Sequence, residues 1–250
     1  MQGFSIVFFA VQSMFRDLGV TFRLTVLPWL LVMSFVFCIF QLLTGAGLEA
    51  GTVTNAASSP GYVPAFALSL FVLCMVGSWV GLSWHRHVLL RESAGSVLPK
   101  RNSQAFEYYF DAAMKFALLS FAVVMMIKLL MMPLVPIMGF FGPGAKVISL
   151  AINALLVSIL LRYALILPAA ALEQPITMGD SWEATQGYHG PIYAIAFFIV
   201  LVVDLAGLVP GQGLATTVLE FSAAWASLVL CISVVTVLYG VRVEGRRLIV

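Results

Sequence analysis

Six long apolar runs, separated by shorter polar segments, form the main pattern along this chain. Each run approaches the ~20 residues that a helix needs to cross the roughly 30 Å hydrocarbon core of a bilayer. The pattern predicts an all-α, polytopic integral membrane protein, with one domain over residues 1–250. Its six transmembrane helices would form three hairpins, with short interfacial amphipathic helices beside them. The predicted spans are residues 24–44, 62–83, 112–133, 146–168, 191–209 and 214–239.

The stretch Gly3 to Leu18 is predicted to be an amphipathic helix ahead of the first span. Gln12 and Arg16 share its polar side with Ser5. A helix of this kind lies in the membrane interface or packs against the bundle with one wet edge. Its predicted apolar side consists of Phe4, Phe8, Val11, Phe15 and Leu18.

Two further short helices are predicted between the spans. Ser103 can cap one that precedes the third span. Thr177 and Asp180 have the spacing of a capping box, which would begin another short helix around Ser181 to Gln186. Both helices would lie on the side of the membrane that holds most of the basic residues.

The distribution of Lys and Arg predicts the orientation. The apolar run from Tyr62 to Ser83 carries no charge, and it ends in a cluster that holds Arg86 and Arg91. If both termini are cytoplasmic, 11 of the 13 basic residues lie on the inner side, with only Lys128 and Lys146 elsewhere. Short loops follow this positive-inside bias. We therefore expect both termini in the cytoplasm.

Arg86, Arg162 and Arg242 occupy corresponding ends of the second, fourth and sixth spans, with intervals of 76 and 80 residues. Even spacing of this kind is typical of an internally repeated fold. Three consecutive hairpins without repeat ancestry would give the same pattern. Together with Arg91, these arginines are the predicted contacts for inner-leaflet lipids.

Composition agrees with a chain solvated mainly by lipid. Hydrophobic residues make up 62% and charged residues 10%, with a mean hydropathy of +1.05. A soluble domain has about 25% charged residues. The net charge of +2 is too small to indicate a nucleic-acid partner. The three cysteines, which lie in apolar runs, are interpreted as packing residues: Cys38, Cys74 and Cys231.

Four polar residues inside the predicted spans form the candidate intramembrane site. A charge at mid-bilayer costs roughly 2.5–3.5 kcal/mol on the insertion scale. At the estimated depths Lys128 would pair with Asp204 or Glu220. The alternatives are an ion or proton pathway, a structural ion pair, and snorkelling to the headgroups. The four residues are Lys128, Asn153, Asp204 and Glu220.

No enzymatic motif or cofactor site is predicted. The sequence has no Gly-rich phosphate loop, nucleophile elbow or HExxH motif. Ser181, His189 and Asp180 are close in sequence, but one loop does not supply the geometry of a triad. His85 and His87 point about 200° apart on a helix and cannot bind one metal from a single face. We expect them to be interface histidines without a ligand.

One segment resembles a known group of proteins. Arg162 ends a span, Leu167-Pro168 follows with Glu173 shortly after, and Ser181-Trp182 begins a short helix. This pattern resembles bacterial six-helix membrane proteins related to the membrane domain of glycerophosphoryl diester phosphodiesterases. The resemblance implies the fold and a bacterial cytoplasmic (inner) membrane location, but no catalytic residues, because the catalytic barrel of such fusions is a separate domain.

The sequence therefore favours a non-catalytic integral membrane protein: an accessory, scaffold or assembly subunit. Its expected partners are membrane lipids and either a second copy or a larger membrane complex. Small residues such as Gly77 and Gly81 would allow close helix approach. The alternative function is a small transporter or channel for an ion, lipid or small solute.

Overall fold

A computed structural model of the chain describes residues 2–16, 18–44, 60–91, 103–134, 143–206 and 214–246. These residues are helical throughout, apart from short turns, and contain no strand. The ten α-helices are α1 Gln2–Arg16, α2 Leu18–Thr21, α3 Leu27–Thr44, α4 Tyr62–Leu90, α5 Ser103–Met131, α6 Pro143–Tyr163, α7 Ile166–Ala171, α8 Met178–Ala184, α9 His189–Ala206 and α10 Leu214–Arg242. A π-helical turn, Phe22–Val26, joins α2 to α3, and a 3₁₀ turn, Met132–Leu134, follows α5.

Five stretches of the described residues are long and apolar enough to cross a membrane. A sixth is obtained if α8 and α9, which meet at a bend of 103°, are counted as one broken span. The prediction of an all-α multi-pass membrane protein is confirmed at this level. The five stretches are Leu18–Leu43, Tyr62–Leu90, Gln104–Met131, Gly144–Ala171 and Ser222–Arg242.

Three of the spanning helices are longer than the predicted spans. The helices α4, α5 and α10 have 29 residues each, or about 43 Å at 1.5 Å per residue. The separate short helix predicted at Ser103 is wrong, because α5 runs without a break from Ser103 to Met131. A salt bridge of 2.6 Å between Lys115 and Asp111 supports the continuous helix one turn apart.

The fourth span is interrupted near its end. The helix α6 stops at Tyr163, and the short helix α7 begins at Ile166 with nearly all its side chains buried. The capping box predicted ahead of α8 is confirmed: the Asp180 amide donates to the Thr177 hydroxyl, and the Thr177 amide donates to the Asp180 carboxylate. That second bond holds the pKa of Asp180 below its usual range.

The main hydrophobic core lies among α1, α6, α9 and α10. Buried side chains from α9 recur at helical spacing, with Ile192, Ile195 and Ile199 facing this core. The helix α1 contributes Ile6 and Ala10, which are almost fully buried. Packing against the bundle, the second of the two alternatives for this stretch, therefore describes α1.

The face of α1 that packs against the bundle is not its predicted apolar side. Phe8 and Phe15 are more than half exposed, whereas the neighbouring stripe of Ile6 and Ala10 is buried. The small Ala10 side chain allows close approach to α9 and α10, while the large phenylalanines point away from the protein. In a bilayer, such outward aromatic side chains face lipid rather than water.

Several predicted connections lie outside the described residues. These are most of the outer loop after the first span, the inner loop at 92–102, much of the outer turn after the third span, and the turn at 207–213. The side chain of Glu220 is likewise outside the described part of the chain.

Candidate functional site

Arg162, at the end of α6, is the most heavily bonded buried cation in the described part of the chain. Only 5% of it is exposed. Its Nε donates to the Thr185 hydroxyl at 2.9 Å, and Nη2 donates to the Trp182 carbonyl at 3.2 Å. Nη1 lies 3.1 Å from Nδ1 of His189. A guanidinium only donates, so that ring nitrogen must accept, which places the proton of a neutral His189 on Nε2.

The Trp182 indole ring covers the same guanidinium. The Arg162 Cζ lies 3.3 Å from the ring centroid, and the Tyr163 ring stacks on Trp182 with a centroid distance of 5.2 Å. A cation held over an indole face gains electrostatic attraction in addition to its hydrogen bonds. Arg162 therefore ties the end of α6 firmly to α8.

Arg86 and Arg242 contact the same connecting region from α4 and α10. Arg86 Nη1 donates to the Ala171 carbonyl at 3.0 Å and forms a salt bridge of 3.2 Å with Glu173. Arg242 Nε donates to the Ala184 carbonyl at 2.8 Å, and its Nη2 donates to the Gln186 carbonyl at 3.3 Å.

These three arginines converge on residues 171–189, which we name the arginine-anchored segment. Ala171 and Ala184 are the last residues of α7 and α8. The last carbonyls of a helix lack an intrahelical donor and carry the negative end of its dipole. Arginine side chains are well suited to satisfy them. The segment is thereby held against the ends of three spanning helices.

The polar side chains of the segment do not form a nucleophile and base pair. Ser181 is fully buried, and its hydroxyl donates to the Arg162 carbonyl at 2.6 Å. His189 Nδ1 accepts from Arg162, and the Asp180 carboxylate is engaged in the capping box. The proximity of these three residues in sequence thus reflects three separate structural bonds.

His85 differs from its prediction as an interface histidine, because only 1% of it is exposed. Its Nδ1 lies 2.7 Å from the Thr236 hydroxyl, and that hydroxyl donates to the Ile232 carbonyl. The Nδ1 must therefore donate to Thr236, which leaves Nε2 as an acceptor. That atom is buried and has no hydrogen-bond partner among the described residues. His85 thus joins α4 to α10 within the protein.

The four residues of the predicted intramembrane site lie on separate helices. Lys128 on α5, Asn153 on α6 and Asp204 on α9 are all exposed. Asn153 donates to Ser149 on its own helix at 3.5 Å, and no ion pair joins Lys128 to Asp204 among the described side chains. A pathway through these residues stays a prediction, as does a contact that involves Glu220.

The predicted lipid contacts differ in how much of each side chain is accessible. Arg162 is buried and donates its hydrogen bonds to groups within the protein, whereas Arg91 is exposed at the end of α4. Arg86 and Arg242 are half-buried and donate to carbonyls. No group of three or more His, Cys, Asp or Glu side chains in the described ranges is placed to hold a metal ion.

Sequence reasoning identified the positions of these arginines but missed their partners. Arg86, Arg162 and Arg242 were recognised by their even spacing at span ends. Their acceptors are mostly backbone carbonyls, which have no signature in the sequence. One sequence signal could have indicated these contacts: a polar segment with a capped short helix follows directly after Arg162 at the end of a span.

No protein-family model, curated protein or solved structure matches this chain. The resemblance of the Arg162 to Gly187 region to the membrane domain of glycerophosphoryl diester phosphodiesterases stays a prediction. Function must therefore be argued from the arrangement of the residues alone.

Proposed function

We propose that the chain is a non-catalytic integral membrane protein, an accessory, scaffold or assembly subunit that packs against a second copy or a larger membrane complex. The observation that carries this proposal is the surface of α5. None of the residues in its most apolar stretch is buried, whereas half of those in the corresponding stretch of α10 are.

The buried side chains in the described part of α5 lie in its first ten residues, and the partly buried Phe116 packs against the core one turn further on. Ala105, Tyr109 and Ala112 are buried, and the contacts of α5 with α4 and α7 come from this part of the fold. Beyond Ala112 the described part of α5 has no buried side chain. Residues 113–131 are all exposed or partly exposed, so this part of α5 is available to pack against another membrane segment.

The exposed surface of α5 is rich in flexible apolar side chains. Leu118, Phe121 and Leu129 are each more than three-fifths exposed, and Met125 and Met126 lie between them. Methionine is adaptable and polarizable, and it is frequent on surfaces that accept varied partners. In a membrane, helix association depends on such packing rather than on the hydrophobic effect. The composition favours a protein partner over a role as a solitary bundle.

Site-specific photo-crosslinking in native membranes tests this proposal. A benzophenone amino acid at Phe121 or Leu129 should give a discrete protein adduct, because α5 would face its partner. The matched positions are Val147 and Leu155 on α6, which are exposed to a similar degree. An adduct of twice the mass of the chain would identify a second copy.

The control positions on α6 should give no discrete adduct. If the α5 positions behave like those on α6 and crosslink only to lipid, the assembly proposal fails. An adduct from α6 but not from α5 would equally contradict it, because the partner would then use another face.

The alternative of a small transporter or channel has less support from the geometry. Lys128, Asn153 and Asp204 are exposed on three different helices and do not line a common path among the described residues. A proton- or ion-flux assay in liposomes tests it directly. Equal background flux for the wild type, Lys128→Met and Asp204→Asn would exclude this alternative.

A further inference from the structure

An apolar cavity of about 220 Å³ lies among the helices α3, α4 and α10. Its walls include Trp29 and Val32 from α3, Val76 and Gly77 from α4, and Trp225 from α10. On each helix the lining extends over about seven residues, or roughly 10 Å along the axis. The cavity is therefore an elongated slot that runs along the bundle.

A hydrogen bond across the cavity holds two of its walls together. Thr25 lies in the π-helical turn, and its hydroxyl donates to the Thr21 carbonyl at 2.6 Å while it accepts from Nε1 of Trp225 at 3.3 Å. A π-helical turn inside a helix widens it locally and often marks a functional position. The Trp225–Thr25 hydrogen bond thus fixes the distance between two walls of the slot.

The slot adjoins a narrow cleft that has no room for a water molecule but is bordered by a cation. Val80 lines both spaces, and the cleft is completed by Arg23, Trp79 and Ser83 among others. Arg23 is exposed and has no acidic partner among the described side chains. The buried indole N–H of Trp79 has no acceptor there either. Arg23 thus places an exposed positive charge beside one end of the apolar slot.

We propose that the slot and the neighbouring Arg23 bind one anionic phospholipid of the surrounding bilayer. Its acyl chain occupies the apolar cavity, and its phosphate lies at the exposed Arg23 guanidinium, outside the narrow cleft. The positive charge without an acidic partner complements a phosphate, which also accepts hydrogen bonds from N–H and O–H groups. This site is separate from the arginine-anchored segment and from the α5 surface.

The slot is too small for a helix and too apolar to retain water. One turn of a helix about 10 Å across, with a rise of 5.4 Å, fills roughly 400 Å³, so a helix of a partner protein does not fit. Water is not retained in a cavity without polar partners. An acyl chain is both narrow and apolar, and the bilayer supplies it at the mouth of the cleft.

Fluorescence quenching by brominated lipids tests the site. The full-length protein is reconstituted in phosphatidylcholine vesicles that contain a minor fraction of either brominated phosphatidylglycerol or brominated phosphatidylcholine. Trp29 and Trp225 in the slot report the bromine atoms. We expect brominated phosphatidylglycerol to be enriched about fivefold over brominated phosphatidylcholine at the site, the factor for one basic residue at a bilayer surface.

Two variants separate the headgroup from the chain. Arg23→Gln should abolish the preference for phosphatidylglycerol, and Arg23→Lys should retain most of it. Gly77→Leu should reduce quenching by both lipids, because a side chain at Gly77 meets open space and would extend into the slot. Arg91→Gln and Gly190→Leu are the matched controls, since Arg91 is exposed and Gly190 also has open space around it.

The proposal is overturned if the two brominated lipids quench equally in the wild type. It is also overturned if Arg91→Gln reduces the preference as much as Arg23→Gln, because the attraction would then be a general surface effect. Unchanged quenching in Gly77→Leu would place the acyl chain outside the slot. None of these results affects the assembly proposal, which rests on α5.

Discussion

At the scale of single residues, Arg162 explains how a cation can be buried at the end of a spanning helix. Its three nitrogen atoms donate to Thr185, Trp182 and His189, and its plane lies on the Trp182 ring. Burial of an unpaired charge is expensive, whereas burial of one whose donors are matched is tolerated. The whole arrangement depends on the planar, forked shape of the guanidinium.

We expect Arg162→Met to destabilise the protein by about 3 kcal/mol, because it removes three hydrogen bonds from a charged donor and the cation–π contact with Trp182. Arg162→Lys should recover part of this loss, since an ammonium group reaches one acceptor but cannot stack in the same way. The measurement is the apparent midpoint of thermal unfolding in mild detergent. Arg91→Met, at an exposed position, is the control. A midpoint for Arg162→Met equal to that of the control would contradict this account.

The location of Arg162 follows from the sequence, but its surroundings do not. The end of an apolar run places it at the end of a span, and the positive-inside bias predicts that this end is the inner one. The Arg162 side chain points into the protein because it bonds to Thr185 and His189, which lie 23 and 27 residues later in the sequence. His85 shows the same limit, because its partner Thr236 is 151 residues away. Long-range partners of this kind cannot be predicted from local spacing.

At the scale of helices, the contact between α4 and α5 depends on one glycine. A Cβ atom at Gly81 would collide with the hydroxyl of Tyr109. Tyr109 is buried beside Leu82 and Ala171, so it has little freedom to move. Small residues allow helices in membranes to approach closely. Gly81 therefore sets the distance between α4 and the first half of α5.

Gly81→Ala should destabilise the protein by about 1–3 kcal/mol, which is typical of overpacking. Removal of the colliding atom in the double variant Gly81→Ala with Tyr109→Phe should restore most of the loss. Gly77→Ala, four residues earlier on the same helix, meets open space and should be neutral. Thermal unfolding of the wild type, Gly81→Ala, Tyr109→Phe and the double variant forms a double-mutant cycle, with Gly77→Ala as the control. Absence of rescue by Tyr109→Phe would show that the hydroxyl is not the obstacle.

Helix type and approximate position could be predicted from apolar runs, whereas exact ends and faces could not. The helix α5 begins at Ser103, nine residues before its predicted span, because Ala105, Tyr109 and Ala112 pack against α7 and α4. The packed face of α1 could not be predicted, because hydrophobicity alone does not distinguish a side chain buried in protein from one that faces lipid. The small Ala10 marks the packed face better than the large Phe8.

At the scale of the whole molecule, the arginine-anchored segment gathers three helix ends. The C-terminal ends of α4, α6 and α10 all contact residues 171–189 through Arg86, Arg162 and Arg242. The helix α9 begins at this end of the bundle, where His189 contacts Arg162. Since α10 also finishes here, we predict that α9 leads the chain to the opposite end before α10 begins. This argument favours six spans over five.

The number of spans determines which face of the membrane each loop occupies, and cysteine labelling can measure it. In a variant without the three native cysteines, we expect Gly211→Cys to react with an impermeant maleimide from outside the cell. Gln174→Cys and Glu244→Cys should react only after permeabilisation, which also serves as the control for total reactivity. If α9 instead re-entered without crossing, Gln174→Cys and Gly211→Cys would be labelled from the same face. Residues 16 and 244 would then lie on opposite sides, and Arg242, Arg246 and Arg247 would move outside, which leaves 8 of the 13 basic residues on the inner side.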